Sequence, residues 1–399
     1  MKKETVLYLA VLSVFAGSNC LGAIDGALSM IAGEMHVSQT TALYAGSVAA
    51  LACMFSGLFF GAVAGRKLPY KTAAVLCMTL AVGGGAVSVV LTSFPWLLFM
   101  RCVFGFGVGG LMCIQNPVAT RLISPEKRAS ILGVGTCVAF GFQCVLQFVG
   151  GVLADIRWNY VFLTYLLLIL PFAFLLIFLP EMKLDPVEEK KEKGRGLPLS
   201  AVLMCFVQGI VWLNIAPLLF GSAFFVAPVS DSATVAAIIA MLFSMGCMAG
   251  GLLFPILYKR LGKYSFSVFL IMAAIGLVMS AKAGDIVTLG LGFFIGGVGQ
   301  SCMQAGIMMF LSLVCAPVQL GAASALMTVF LNLGAFMCSA WDALIGRLTG
   351  DTLYMPLYIG AGMFAVISLI LWICPPFPNE KSKTALDESD KAADILNAA

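Results

Sequence analysis

EMKLDPVEEKKEKGRGLP, residues 181–198, is the long hydrophilic stretch within an otherwise apolar chain, and it divides the protein in two. Its mixed charges and scarcity of apolar side chains mark a solvated linker. On its N-terminal side, apolar runs fall at residues 5–31, 40–65, 71–92, 95–122, 129–153 and 158–180. On its C-terminal side they fall at 199–228, 232–258, 264–282, 286–315, 320–346 and 354–375. A helix needs about 20 apolar residues to cross hydrocarbon, and each run supplies them. The expectation is an all-α polytopic membrane protein of twelve transmembrane helices. Two six-helix bundles, 1–180 and 199–375, are joined by the linker 181–198 and followed by a polar tail, 376–399.

Composition agrees with that reading. Of 399 residues, 61% are hydrophobic and 11% charged, against roughly 25% charged in a soluble domain, which excludes a soluble enzyme. The 13 cysteines form no CxxC pair and His36 is the sole histidine, so a zinc site or disulfide framework lacks its raw material, and no cofactor or metal is expected.

Charge placement sets the expected orientation. With the N-terminus inside, Lys2, Lys3, Arg66, Lys67, Lys71, Arg121, Lys127, Arg128, the linker, Lys259, Arg260, Lys263 and the tail all put their basic residues on one side. Of the 23 Lys and Arg, only Arg157, Lys282 and Arg347 fall opposite, and Arg101 lies within a span. The excess marks the cytoplasmic side of a bacterial inner or plasma membrane, with both termini inside. Basic residues spread over membrane-surface loops suit anionic lipid headgroups rather than nucleic acid. The expected partners are thus lipid, a small solute and protons, with the chain working as a monomer.

Polar residues inside hydrocarbon are costly unless they face a cavity or the bundle interior, and here they recur on every third span. Span 1 carries Asn19 and Asp25; span 4, Arg101, Gln115 and Asn116; span 7, Gln208, Trp212 and Asn214; span 10, Gln300 and Gln304. Spans 3, 6, 9 and 12 carry almost nothing stronger than a hydroxyl, as lipid-facing helices do. Asp25 and Arg101 should both lie roughly 8 Å below the outer surface, counting about 1.5 Å per residue. They can form a switching pair that couples a proton to conformational change. A static ion pair, or an Arg101 that anchors a substrate carboxylate, are the competing readings. The second half has no equivalent charge, so Gln208, Trp212, Asn214, Gln300, Gln304, Asn332 and Phe225 are candidates for neutral recognition. Gly57, Gly61 and Gly65 on span 2, and Gly105 and Gly109 on span 4, have the spacing of close helix contacts. Asp155, Asp285, Asp342, Arg347, Glu34 and His36 are expected at the outer interface.

A weak internal repeat relates the halves: GAVAGRKLPYK from Gly61 and PILYKRLGKY from Pro255 put Arg66 and Arg260 about half a chain apart. At these residues the chain resembles the major facilitator superfamily of secondary transporters. The loop after span 2, Gly61 to Arg66 with Lys71 following, is similar to the family's loop motif, with Gly65 where the family has aspartate. Arg101 to Gly107 (RCVFGFG) is similar to the arginine motif of proton-coupled members, and residues 150–162 to the junction of spans 5 and 6 in drug exporters. The glycine-proline pair of the antiporter signature is absent at Leu146 and Gln147. Asp25 resembles the first-span aspartate of multidrug members. The resemblance implies a central cavity lined by helices 1, 4, 7 and 10, and the missing aspartate at Gly65 implies a less firmly sealed cytoplasmic side. The expected function is alternating access without chemistry: proton-coupled export of a small amphipathic compound, with Asp25 and Arg101 as coupling residues. Uptake or exchange of a small organic anion anchored by Arg101 is the alternative, and a non-transporting receptor or assembly protein a third.

Overall fold

The computed structural model describes residues 3–90, 93–182, 184, 197–315 and 317–376, so most of the linker and tail lie outside the described residues. Ten segments are long and apolar enough to cross a membrane. One of them, Ala233–Ala281, is two helices, Ala233–Leu261 (span 8) and Ser265–Ala281 (span 9), reversed at Gly262 with its φ of 53°. A further crossing, span 1, is the bent pair Thr5–Ser18 and Leu21–Glu34. Twelve crossings result. Spans 2 to 5 are Gln39–Val63, Tyr70–Ala86, Phe94–Leu122 and Pro125–Ile156. Span 6 begins as a tight 3-10 helix, Trp158–Leu168, and continues as Ile169–Phe178. Spans 7, 10, 11 and 12 are Leu199–Phe220, Ile286–Val314, Pro317–Thr349 and Met355–Ile373. Helices satisfy their own backbone groups, which the hydrocarbon cannot do.

Two expectations about packing need correction. Gly105 and Gly109 do let span 4 lie against span 2: a Cβ at Gly109 would sit 2.5 Å from Cys53 Cα, and one at Gly105 2.8 Å from Ala49 Cα. The span 2 stripe is not a contact of this kind, because Gly57 has nothing within 4 Å and Gly61 only Cys113 Sγ at 3.5 Å. Gly65 serves the turn instead. It takes φ 78°, its N–H donates to the Leu68 carbonyl at 2.8 Å, and a Cβ would lie 2.5 Å from the Tyr70 ring. Glycine is the default residue for such a left-handed position. Arg66 and Arg260 are exposed and Lys71 is half-buried, while Arg121 of span 4 stacks over Tyr70 at 4.7 Å.

The halves meet through spans 5 and 8 and through spans 2 and 11. Asp155, at the end of span 5, accepts hydrogen bonds from the Ala233 N–H (2.6 Å), the Thr234 N–H (3.1 Å) and the hydroxyls of Ser232 (2.8 Å) and Thr234 (2.5 Å). Expected as a mere interfacial residue, it caps the first turn of a helix in the opposite half. Ser47 of span 2 shares a 2.9 Å hydrogen bond with Ser339 of span 11. Gly26 lies so close to span 8 that a Cβ would be 2.7 Å from the Ala237 nitrogen. All of these contacts belong to the side poor in basic residues, so the halves are clasped there. On the basic-rich halves of spans 2, 5 and 11, Gly57, Gly133 and Gly321 have no neighbour within 4 Å of a built Cβ.

Asp342 also departs from expectation. Span 11 continues to Thr349 rather than ending near residue 346, which draws Asp342 two turns into the helix, where it is 1% exposed.

Candidate binding cavity

Span 1 breaks at Asn19 and Cys20, turning by 44° into the 3-10 segment Leu21–Ala27. The sequence there, Gly17-Ser-Asn-Cys-Leu-Gly22, contains no proline. Its side chains compete for the helix carbonyls instead: Ser18 Oγ donates to Phe15 O at 2.8 Å and Cys20 Sγ to Ala16 O at 3.2 Å. Such back-bonding and Gly/Ser pairs are recognised causes of bends.

The break opens onto a cavity of about 240 Å³ between the halves. Asn19, Leu21 and Gly22 line it from span 1, Gln115 from span 4, Trp212 from span 7, and Gln300 and Gln304 from span 10. Spans 2, 5, 8 and 11 complete the wall, with Gln143, Ser244 and Asn332 as polar members and Phe140 and Phe243 as aromatic ones, and Phe15 of span 1 and Phe220 of span 7 add two further aromatic faces. Gln300 Nε2 donates to Gln304 Oε1 at 2.9 Å. Exposed Thr136 shows that the cavity reaches solvent along the basic-rich half of span 5. None of the described lining residues is charged.

Six of the eight amide or aromatic candidates from the sequence are therefore brought together: Asn19, Gln115, Trp212, Gln300, Gln304 and Asn332. The other two are not. Asn214 points toward span 12, its Oδ1 3.0 Å from where a Cβ on Gly360 would stand, and its Nδ2 donates to the Ile210 carbonyl at 2.9 Å. Gln208 is fully buried, with both amide atoms unpartnered, and lines nothing. Phe225 packs edge-to-face with Phe293 and Tyr354.

Arg101 and Asp25 are both 0% exposed, and they do not bond to each other. Arg101 Nε donates to Ala45 O at 2.8 Å, Nη2 to Leu21 O at 2.9 Å and Nη1 to the Tyr165 hydroxyl at 2.7 Å, with the Phe104 ring 4.7 Å from Cζ. The guanidinium thus ties span 4 to spans 1, 2 and 6. It lines no part of the cavity.

Neither oxygen of Asp25 has a hydrogen-bond partner. Its surroundings are visible over Gly22: a Cβ there would lie 2.6 Å from Asp25 Oδ2, 3.0 Å from Gln143 Nε2 and 3.1 Å from Gln147 Nε2. The absence of a side chain at Gly22 is what leaves room for these three groups to converge. Gln147 Oε1 accepts from Ser244 of span 8 at 3.1 Å, so the cluster also touches the opposite half. Sequence reasoning passed over Gln143 and Gln147. Two glutamines four residues apart in an apolar run, hence on one helix face, were the available signal.

A family model for the Major Facilitator Superfamily matches residues 7–336. Among curated relatives, the putative niacin/nicotinamide transporter NiaP of Bacillus subtilis (strain 168) is 28% identical over 111 residues, covering 27% of this chain. The match spans 28% of that relative's own length. In fold, the chain is similar to a POT family transporter solved with 5-aminolevulinic acid (TM-score 0.77, 11% identity, 94% of this chain and 96% of that one). A D-xylose-proton symporter is similar too (TM-score 0.73, 14% identity, 92% and 97%).

Proposed function

The chain belongs to the Major Facilitator Superfamily, and from that premise we propose that this integral multi-pass membrane transporter exports small amphipathic organic compounds in exchange for protons carried by Asp25. The observation that carries the reading is the Asp25 carboxyl, fully buried beside the cavity, with no donor or cation bonded to either oxygen. A buried carboxylate that no donor or cation bonds costs several kcal/mol even with the Arg101 guanidinium nearby, so it is a site for a proton or for the positive group of a solute. Intramembrane carboxyls of this kind are the usual parts of proton relays.

In this reading the basic-rich loops and both termini are cytoplasmic, and the clasped side is the outer one. Solute enters from the cytoplasm and is held by aromatic faces and by the amides of Asn19, Gln115, Gln300, Gln304 and Asn332. A proton arriving from outside occupies Asp25 and leaves on the inner side. The cavity is complete within one chain, in keeping with a working monomer. Arg101 has its donors committed to Leu21, Ala45 and Tyr165 and lines no cavity, which counts against anion carriage anchored there.

A second reading, uptake of a small uncharged heteroaromatic amide through the same cavity, is favoured by the likeness to a relative named for niacin and nicotinamide. Proton movement in everted vesicles energised to an acid interior tests both. Lipophilic cations, neutral drugs, nicotinamide and small carboxylates are added in turn to wild type and Asp25→Asn. Alkalinisation by cations or neutral drugs, lost in Asp25→Asn, is the expected result. No proton signal from any solute would sink the export reading, and labelled nicotinamide counterflow would then examine the second.

A further inference from the structure

The export reading uses one buried carboxyl, but the helices hold another. Asp342 of span 11 is 1% exposed and its Oδ1 has no hydrogen-bond partner. Span 11 packs against spans 2, 7, 10 and 12, and none of these four helices contains an Asp, Glu, Lys, Arg or His. Their titratable groups are uncharged: Tyr44 and Cys53 on span 2, Cys205 on span 7, Cys302 on span 10 and Tyr358 on span 12. On its own helix Cys338 lies one turn away and Arg347 is exposed. Among the described residues, the helices packed on Asp342 thus offer its carboxyl no cation.

Its position gives the carboxyl a task. Residues three apart share a helix face, and Ser339, three before Asp342, makes the hydrogen bond to Ser47 that joins the two halves. The carboxyl stands one turn along from that seam, in a dry packing that tolerates a neutral acid but not an anion. We propose that Asp342 is a second proton-carrying carboxyl, which lets spans 2 and 11 seal the basic-poor side when neutral and opens that seam when ionised. The inference rests on the transporter reading above, to which it adds a proton site on the second half. Asp25 lies away from this seam, with Arg101, Tyr165 and Cys20 as its titratable neighbours, and Gly26 beside it packs on span 8.

Hydrogen–deuterium exchange of the full chain in lipid nanodiscs, without solute, tests it. Opening of the seam is read at residues 39–48 and 336–349 from about pH 5 to about pH 9, above the ordinary carboxylate range, with intrinsic exchange rates divided out. A seam opened by loss of one proton becomes up to about tenfold more open per pH unit. Wild type is expected to show that rise and Asp342→Asn to lose it, staying protected throughout. Asp342→Glu should still titrate, and Asp342→Ser, a second neutral variant should Asn fold poorly, should be flat. A flat wild type, or neutral variants that keep its slope, overturns the proposal. Asp25→Asn separates the two ideas: a seam that still titrates in a variant without proton-coupled transport supports both. Unaltered coupling in Asp25→Asn would fail the Asp25 reading alone.

Discussion

Replacing Arg101 by lysine keeps the charge but removes the planar fork, which makes it a sharp test of what the guanidinium does. Three nitrogens serve acceptors on three different helices: Leu21 O, Ala45 O and the Tyr165 hydroxyl, at 2.7 to 2.9 Å. A single ammonium on a flexible stem cannot occupy all three directions. If it satisfies one, two charge-assisted bonds of about 1.5–3 kcal/mol each are lost. Arg101→Lys should destabilise the first half by about 3–6 kcal/mol, and at about 2–4 °C per kcal/mol for a unit of this size the unfolding temperature should fall by on the order of 10 °C. The assay is thermal unfolding of purified protein in one detergent, followed by tryptophan emission, with Tyr165→Phe as a milder control that removes one bond. An unfolding temperature unchanged in Arg101→Lys, combined with loss of carboxylate counterflow, would refute the staple and restore the anion anchor.

Other consequences follow from the same geometry. Gln208→Leu removes two buried amide atoms that have no partner; at about 1–3 kcal/mol for such a group it should raise the unfolding temperature and leave transport unchanged. Asp155→Ala takes away the cap that the first half supplies to span 8, about 1 kcal/mol for a helix cap. Alkylation of a cysteine placed at Ala237, quantified by mass spectrometry, should then rise about fivefold as the clasp loosens. Asp285 is held below the usual carboxylate range by the Thr288 N–H and hydroxyl. Because its folded value is depressed, its stabilisation is present above the ordinary value of about 3.9 and is lost as pH falls through the lower folded one. The difference in unfolding temperature between wild type and Asp285→Ala should accordingly be full at neutral pH, begin to shrink near about pH 4 and vanish only below the depressed folded value.

The number of crossings was legible because hydrocarbon allows only apolar, self-satisfied helices, and hydropathy records that directly. Which face of each helix meets the cavity was legible only in part. Trp212 and Asn214 are two positions apart, about 200° around a helix, so they cannot both point inward, and Asn214 is the one turned toward span 12. Nothing in a one-dimensional pattern fixes that rotation. The pairing of Asp25 with Arg101 was inferred from equal depth, yet depth does not specify azimuth. Arg101 reaches the Leu21 carbonyl at the start of the 3-10 segment instead. Asp342 was placed at the interface because a run of apolar residues ends before its helix does.

If Asp25 carries the proton, as proposed, the seven residues of the 3-10 segment in span 1 are the element that would link it to the uncharged cavity. Leu21 gives its carbonyl to Arg101, and with Gly22 faces the cavity. Asp25 stands with Gln143 and Gln147 over Gly22, and Gly26 packs directly on span 8 at the clasped side. Cavity wall, carboxyl and seal are therefore all supplied by one short element. A 3-10 stretch within a helix often marks a hinge, since its hydrogen bonds are poorer than those of an α-turn. In the proposed cycle, filling the cavity would press on Leu21 and Gly22, protonation would alter what Asp25 asks of its surroundings, and either change would reach Ala237 through Gly26. Arg101 would hold the fixed end of this lever, which would place the conformational coupling in the bend rather than in a bonded charge pair.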